Sequence, residues 1–341
     1  MKAAAARFYA CSILLAIVAC SPVSTGETAL PSIAQSARTP SNRVAAATST
    51  VPYFQSSFSY GGTTYPYKIV GTNPMGTART TTVAVAIVPL RLIFSDGSAF
   101  DATAAASHLP QSPLFTKGSY PAGETQYGDA LMRSEFWAYL RNGAAPYHVL
   151  LAAPKLEPTI SVTVPRADGY TSRTSGSLQG RVTYAWFVQT EEKQLIGQLH
   201  IPPTTLAIFP TVDVDVLEPG NYCCYLGYHS AISSGSAIWT TAWASISSTN
   251  ISVLSHEVAE WLNDPFYTNR VPPWVSPESN ACGGDDLEVG DPVTLFHFKV
   301  NGYEVQDEAF FSWFARVAPS KGIHEWYDLQ GNLQSPAADC S

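Results

Sequence analysis

One stretch decides the fold of this chain: residues 255–265 read Ser-His-Glu-Val-Ala-Glu-Trp-Leu-Asn-Asp-Pro. Apolar residues recur every three or four positions through it, which predicts a helix with a core-facing stripe of Ile251, Leu254, Val258, Trp261 and Leu262. Asn250 is suited to cap the start of this helix, and Asn263-Asp264-Pro265 is expected to end it. His256 and Glu260 are four residues apart, so they lie one above the other on a different face of the helix.

The spacing of His256, Glu257 and Glu260 is typical of a metal site. In the pattern H-E-x-x-H, two histidines one helical turn apart bind zinc, and the intervening glutamate is the general base. Here Glu260 holds the second ligand position. A carboxylate oxygen binds zinc at about 2.0–2.2 Å, so we predict a Zn²⁺ site, with Ca²⁺ or Mn²⁺ as alternatives for this harder donor set. The competing interpretation is a chance arrangement on the solvated side of a helix.

Two neighbouring segments are predicted to complete the site. Downstream, a turn rich in carboxylates offers Glu288 as the expected third metal ligand and Asp291 as its alternative. Upstream, Tyr228 and His229 end a strand-like segment, Tyr222–Tyr228, and could donate a hydrogen bond to an oxyanion. His229 as a buried structural histidine, and Asp291 as a turn-capping or calcium-binding carboxylate, are the alternatives.

The order of these motifs resembles a family of exported bacterial, zincin-like metallopeptidases, which are distantly similar to the plant phosphate-induced, EXORDIUM-type proteins. The resemblance covers most of the chain after about residue 60 and is carried by Gly227-Tyr228-His229-Ser230, His256-Glu257-x-x-Glu260 with Asp264-Pro265, Glu288-x-Gly290-Asp291, Ser112-Pro113-Leu114-Phe115 and Gln126-Tyr127-x-Asp129-Ala130. This sequence departs from the family in Trp261-Leu262-Asn263, where small residues and Thr are commoner. The resemblance implies a zincin-like fold, with the active-site helix packed on a mixed sheet.

The charge of such a site bears on the mechanism. One histidine and two carboxylates around Zn²⁺ give a formal charge near zero, so a water on the ion is acidified less than at a site of neutral imidazoles. Removing its proton would then depend more on Glu257 as general base. We expect a metal-dependent hydrolase, specifically a zinc peptidase with protein or peptide substrates. The alternative is a non-catalytic extracellular protein that binds glycans or an envelope partner through a degenerate zincin-like site.

The amino-terminal 50 residues are predicted to lie outside the folded domain. Two basic residues precede an apolar stretch, Phe8 to Ala19, which is too short to span a bilayer and is typical of an export signal over residues 1–19. Ile17-Val18-Ala19-Cys20 resembles a lipobox, so we expect a lipid anchor at Cys20; ordinary secretion with cleavage a few residues away is the alternative. Residues 20–50 are rich in Ser, Thr, Ala and Pro and predict a flexible tether.

The composition narrows the class of protein. The chain has 341 residues with 27 acidic and 19 basic side chains, for a net charge of −8, and charged residues make up only 13%. An apolar fraction of 45% excludes a disordered chain. No late apolar run is long enough for a polytopic membrane protein, so the lipid is the expected membrane contact. The acidic balance argues against a nucleic-acid partner.

The remaining sequence predicts a β-rich α+β fold. Turns alternate with β-branched runs, a helix is expected from Gln126 to Arg141, and Asn301-Gly302 predicts a hairpin between Thr294–Val300 and Tyr303–Gln306. A strand is also expected over Arg181–Gln189. We expect residues 51–341 to form a single zincin-like domain. An N-terminal β-rich subdomain up to about residue 220 is an alternative within it.

Four cysteines follow the tether, namely Cys223, Cys224, Cys282 and Cys340. An even number in an exported chain predicts two disulfides. A bond between two adjacent cysteines would be strained, so Cys223 and Cys224 are each expected to pair with Cys282 or Cys340. A four-cysteine metal site is disfavoured because the spacing lacks two C-x-x-C arms.

Overall fold

The structure is a computed structural model that describes residues 49–76, 78–141, 146–174, 176–218, 220, 223–282 and 284–340. The predicted export signal and lipidation site, and the tether up to residue 48, lie outside the described residues. Within the described ranges, no helix is long and apolar enough to cross a membrane.

Strands dominate the described residues. In chain order they are β1 (Tyr53–Tyr60), β2 (Thr63–Val70), β3 (Thr80–Ile87), β4 (Leu90–Ile93), β5 (Ala99–Asp101), β6 (Gly118–Tyr120), β7 (Gly123–Thr125), β8 (His148–Leu151), β9 (Lys155–Leu156), β10 (Ile160–Thr163), β11 (Gly169–Thr174), β12 (Ser177–Thr183), β13 (Thr205–Thr211), β14 (Val214–Leu217), β15 (Gly227–Ser234), β16 (Ala237–Ser245), β17 (His297–Val300) and β18 (Tyr303–Gln306).

Helices lie between the strands. They are α1 (Thr103–Ala106), α2 (Tyr127–Glu135), α3 (Trp137–Leu140), α4 (Tyr184–Trp186), α5 (Lys193–Gln198), α6 (Ser252–Asn263) and α7 (Phe311–Phe314), with a π-helical segment at Phe187–Glu192 and 3₁₀ turns at Leu109–Gln111, Asp291–Val293 and Ile323–Glu325. Helix makes up 19% and strand 38% of the structure, so the predicted β-rich α+β class is confirmed.

The largest sheet carries the functional elements. Its strand order is β15-β16-β13-β3-β8, with β9 also paired to β3. The strands from β16 to β8 run parallel to one another, whereas β15 pairs antiparallel with β16 at the edge. Every residue of β13 is buried, as expected of a parallel strand that is covered on both faces.

Two apolar cores lie on opposite faces of this sheet. Along β13, Leu206 and Ile208 belong to one core, while Ala207 and Phe209 belong to the other, because successive side chains of a strand alternate in direction. The first core also contains the apolar face of α6 and extends in sequence from Val51 to Ala337. The sheet therefore separates the motif helix from the second core.

The predicted motif helix is confirmed as α6. Leu254, Val258 and Trp261 are fully buried, as the apolar stripe requires. The helix begins at Ser252, whose backbone N–H donates to the Asn250 side chain at 3.0 Å. After the helix ends at Asn263, the Asp264 carboxylate accepts the backbone N–H groups of residues 268 and 269 and so holds the following turn.

Two of the other predicted elements have different bounds. The expected helix from Gln126 to Arg141 is interrupted at Phe136, because the N–H of Ala138 donates to the carbonyl of Lys321 and not to a carbonyl of its own helix. The Asn142-Gly143 stop lies outside the described residues. The strand expected over Arg181–Gln189 ends at Thr183, where the chain turns helical and packs aromatic side chains into the second core. Tertiary packing outweighs the strand propensity of those residues.

The segments around the site shift in a similar way. Of the strand expected at Tyr222–Tyr228, Tyr222 lies outside the described residues, and the rest is a strand only from Gly227, which continues to Ser234. This strand is a half-buried edge whose small polar residues give a weak alternating pattern. The Asn301-Gly302 hairpin is confirmed, although its first strand begins only at His297. Both turn residues have positive φ, as this turn type requires.

The predicted disulfide pairing is wrong. Cys282 is bonded to Cys340, and Cys223 is bonded to its neighbour Cys224. Bridges between Val275 and Cys282 and between Trp274 and Asp339 bring the first pair within a Cα separation of 5.5 Å, which suits a disulfide. This long-range pairing leaves the adjacent cysteines as each other's partners.

Candidate metal centre

The α6 helix directs three motif residues into the protein. His256, Glu257 and Glu260 are only 5%, 5% and 3% exposed. A chance arrangement on a solvated helix face is therefore excluded, because these polar side chains are buried together. Buried ionisable groups normally require partners of opposite charge or a bound ion.

His256, Glu260 and Asp291 form a donor set suited to one cation. His256 Nε2 lies 3.0 Å from Glu260 Oε1 and 3.8 Å from Asp291 Oδ1. The three ligand atoms are all within 4.8 Å of one another. Two ligands bonded tetrahedrally to zinc at about 2.0–2.1 Å are roughly 3.3 Å apart, so the group fits such an ion.

Asp291, the alternative third ligand, thus occupies the position expected for Glu288. The Glu288 carboxyl lies against Glu260 but is not among the three ligand atoms that converge. Burial raises the pKa of Glu288 well above its usual range, and the charges of Glu260 and Asp291 add to this effect. The 3₁₀ turn that starts at Asp291 directs its carboxylate toward α6.

The His256 ring is held from behind by Gln306, at the end of β18. Gln306 Nε2 lies 2.8 Å from His256 Nδ1 and donates to the Gly290 carbonyl, also at 2.8 Å. The Gln306 backbone N–H donates to Ser255 Oγ at 3.0 Å. Such outer contacts fix the orientation of a metal-binding imidazole. The sequence interpretation missed Gln306, which it placed only as the last residue of a hairpin.

Two glycines make room for the motif side chains. A Cβ atom at Gly290 would overlap the His256 ring, and one at Gly227 would lie 2.5 Å from Glu257 Oε1. Neither glycine has a positive φ, so close approach explains them better than backbone conformation does. The turn after Glu288 and the start of β15 are therefore packed tightly against the ionisable face of α6.

His229 joins the centre from β15. Its Nδ1 lies 3.6 Å from Glu257 Oε2 and 3.5 Å from Glu260 Oε2, and its side chain is 2% exposed. Burial lowers the pKa of His229, but its interactions with the Glu257 and Glu260 carboxylates outweigh burial and raise it to about 10. His229 is therefore buried beside the motif residues, and its role as an oxyanion donor stays a prediction.

The structure does not bring Tyr228 to the centre. The β15–β16 register pairs His229 with Ala242 of the first core, and Tyr228 with Trp243 of the second core. Adjacent residues of a strand face opposite sides, so the Tyr228 hydroxyl donates to buried Glu192 at 2.7 Å. The role of oxyanion donor predicted for Tyr228 is not supported by this position.

Tyr267 is a site residue that the sequence interpretation missed. Its ring meets the His229 ring edge-on at a centroid distance of 5.8 Å, and the residue is 43% exposed. Burial and the charge of Glu288 raise the pKa of its hydroxyl, which interacts with Asp286. Its φ of 54° is unusual for an aromatic residue. The position directly after the helix-ending Asp-Pro-Phe was the available signal.

The pKa values of three carboxylates at the centre, Asp291, Glu257 and Glu260, shift in different directions. Burial raises the pKa of Asp291 to about 8, with the charge of Glu260 as the next cause, and burial also raises the pKa of Glu257. Burial acts in the same direction on Glu260, but the positive charges of His256 and His229 hold its pKa well below the usual range. The pKa of Glu260 is therefore shifted in the opposite direction to those of Glu257 and Asp291, because Glu260 faces both imidazoles.

A cavity of about 490 Å³ opens beside the centre. Its lining includes Leu226, Asn250, Val253, Thr294, Leu295 and Gln306, and of these Gln306 contacts His256. Leu226 directly precedes β15, so the cavity adjoins both the edge strand and the motif helix.

No family model, curated protein or solved structure matches this chain. The resemblance to exported zincin-like metallopeptidases therefore stays a prediction from the motifs.

Proposed function

We propose that this protein is a metal-dependent hydrolase of the zincin-like type, specifically a zinc peptidase that acts on extracellular protein or peptide. The observation that carries the proposal is the convergence of buried His256 and Glu260 with half-buried Asp291, with buried Glu257 beside them. A purely structural cation site has no need of an additional carboxylate in the position of a general base.

The fold supports the zincin-like assignment. The resemblance implies an active-site helix on a mixed sheet, and α6 packs against a sheet in which the single antiparallel strand, β15, lies at the edge nearest the motif. Strand β15 supplies His229, so the edge and the helix share one site.

In the proposed hydrolysis, a bound ion and the side chain of Glu257 have different roles. A divalent ion bound by His256, Glu260 and Asp291 would supply positive charge that polarises a carbonyl and acidifies water. Glu257 accepts the proton of the attacking water at its carboxylate and returns it to the leaving amine. Its pKa, raised by burial, makes it a stronger base than an exposed glutamate.

Two side chains support that proton transfer. His229 Nδ1, 3.6 Å from Glu257 Oε2, orients the carboxylate and is therefore a positioning residue. For the oxyanion donor we assign Tyr267 in place of Tyr228, because its exposed ring lies against His229.

The free edge of the sheet favours an extended peptide as substrate. Within the described ranges, β16 is the only strand that pairs with β15, so the opposite side of β15 is free to pair with another chain. Strand addition supplies backbone hydrogen bonds, and a neighbouring pocket selects side chains.

The proposed compartment is extracellular, with an anchor at Cys20. The supporting observation in the described part of the chain is the Cys282–Cys340 disulfide, which is typical of proteins that fold in oxidising compartments. Mass spectrometry of membrane-fraction protein would test this proposal, since lipidation predicts a mature chain that starts at diacylated Cys20.

Metal analysis and one isosteric variant test the function. Protein purified without added metal or chelator is expected to hold close to one equivalent of a transition metal and to cleave members of a broad peptide library. Glu257→Gln is expected to keep that metal while the rate falls by about 10³-fold or more, whereas exposed Glu124→Gln retains both. Wild-type protein that binds metal and cleaves nothing would instead favour the non-catalytic binding protein.

A further inference from the structure

The Glu260 carboxylate faces two imidazoles with its two oxygens. Oε1 lies 3.0 Å from His256 Nε2, while Oε2 lies 3.5 Å from His229 Nδ1. One oxygen therefore belongs to the donor set described above, and the other points to a different histidine. A carboxylate in this position can bridge two cations.

We infer that the protein has a second divalent-cation site, formed by His229 Nδ1, Glu257 Oε2 and Glu260 Oε2, whose occupation inhibits the hydrolase. The inference rests on the proposed function, because inhibition requires Glu257 to be the base. Its three ligand atoms lie within 4.8 Å of one another, as in the first donor set. The side chains of His229, Glu257 and Glu260 are 2%, 6% and 3% exposed.

The spacing of these atoms fits ligands around an ion better than it fits hydrogen bonds. His229 Nδ1 is 3.5 and 3.6 Å from its two carboxylate neighbours. Hydrogen bonds of this type have N···O distances near 2.9 Å, whereas two ligands of one zinc ion are about 3.3 Å apart. One imidazole with two carboxylates is a donor set for Zn²⁺, Co²⁺ or Mn²⁺.

His229 and His256 differ in the contacts of the ring nitrogen that faces away from the carboxylates. His229 Nε2 is buried and has no hydrogen-bond partner among the described residues. His256, by contrast, has its second nitrogen 2.8 Å from Gln306. Since outer partners change metal affinity by about 10–100-fold, the His256 site fills first and the His229 site fills at higher metal concentration.

The clustered carboxylates favour cations at this position. Glu257, Glu260, Glu288 and Asp291 converge here with low exposure. Each divalent ion that binds can therefore replace protons that burial otherwise keeps on these groups.

Occupation of the second site removes the base. An ion on Glu257 Oε2 occupies the lone pair that would accept the proton from water, so hydrolysis stops although the first ion is still bound. The expected behaviour is activity at one equivalent of zinc and inhibition by excess zinc.

Equilibrium dialysis against rising Zn²⁺, followed by metal analysis, tests the site in the full mature chain. Wild-type protein is expected to bind two equivalents, the second at least 10-fold more weakly, and His229→Ala only the first. His297→Ala, at a partly exposed histidine outside the cluster, should bind two and serves as the matched control. Inhibition of the wild type should follow occupation of the second site.

A spectroscopic measurement avoids dependence on variants. Mn²⁺-loaded wild-type protein should give a spin-coupled EPR spectrum at two equivalents and an uncoupled one at one equivalent, because a shared Glu260 brings the ions to about 3.5–4 Å. A single equivalent of zinc at saturation, with hydrolysis intact, would overturn the second site and leave the hydrolase standing. No bound metal and no hydrolysis would overturn both proposals.

Discussion

Two buried acidic regions of this molecule look alike by burial and differ in their partners. Glu135, at the end of α2, is 1% exposed, accepts one backbone N–H from Phe311, and has an Oε1 without a partner among the described residues. Burial raises its pKa to about 8. Around α6, carboxylates of similar burial instead face two imidazoles and one another.

The difference separates a structural acid, Glu135, from the proposed metal centre. A single buried carboxyl is most simply accommodated by taking up a proton, which leaves it neutral near pH 7. Beside α6, the charges of His256 and His229 instead keep Glu260 ionised. The arrangement of donors, and not burial, is therefore what favours a functional site at α6.

The largest effect is expected where the donor set itself is broken. His256→Ala should reduce bound metal to below a tenth of an equivalent and lower peptide hydrolysis by at least about 10³-fold, because the remaining ligands are both anionic oxygens without a soft partner. Metal analysis and peptide cleavage measure the two effects. If His256→Ala keeps a full equivalent of metal, the ion binds at a site that does not include His256.

The structural acid predicts a pH effect on stability. Glu135 has a raised pKa only in the folded state, so the folded protein binds the extra proton between about pH 4.5 and 8. Its contribution is complete below pH 4.5, and the free energy of unfolding then falls by about 2–4 kcal/mol as the pH rises to 8. Glu135→Gln should remove that part of the slope in denaturant titrations.

The same variant sharpens the comparison between the two regions. Glu135→Gln is expected to keep its metal equivalent and its hydrolysis, because Glu135 is outside both donor sets. An unchanged pH slope, or a loss of metal, would mean that the two regions are not independent.

Close packing behind the centre predicts a smaller effect. Gly290→Ala places a methyl group where the His256 ring lies, so we expect destabilisation of about 1–3 kcal/mol and at least 10-fold weaker metal binding. Gly76→Ala, at an exposed turn without a positive φ where a Cβ meets nothing within 4 Å, controls for general effects of substituting glycine. Metal affinity that falls equally in both variants would remove the specific role of Gly290.

The smallest effect concerns the missed tyrosine. Tyr267→Phe should lower kcat by about 10-fold with little change in KM or metal content, since the hydroxyl acts only on charge that develops during the reaction. Exposed Tyr170→Phe provides the matched control. An unaltered kcat in Tyr267→Phe would show that Tyr267 is not the oxyanion donor.

Local patterns predicted the elements that depend on neighbours in sequence. The α6 helix follows from its apolar spacing and Asp-Pro end, and the β17–β18 hairpin follows from Asn301-Gly302. These features are fixed by side-chain periodicity and turn conformation, which a sequence displays directly.

Features set by contacts between distant segments were less accessible. The register of β15 against β16 decides that His229, and not Tyr228, faces the candidate site. A 3₁₀ turn decides that Asp291, and not Glu288, converges with His256 and Glu260. Gln306 lies 50 residues from His256 in sequence, so no local pattern connects them. The cysteine pairing similarly depends on strand bridges near the carboxyl terminus.

The most direct test of the central claim is a crystal structure of protein purified without added metal, with anomalous data collected at the edge of the metal found by analysis. We expect one strong anomalous peak within about 2.0–2.2 Å of His256 Nε2, a Glu260 oxygen and an Asp291 oxygen. A metal-free protein, or a peak that none of these three residues contacts, would contradict the account.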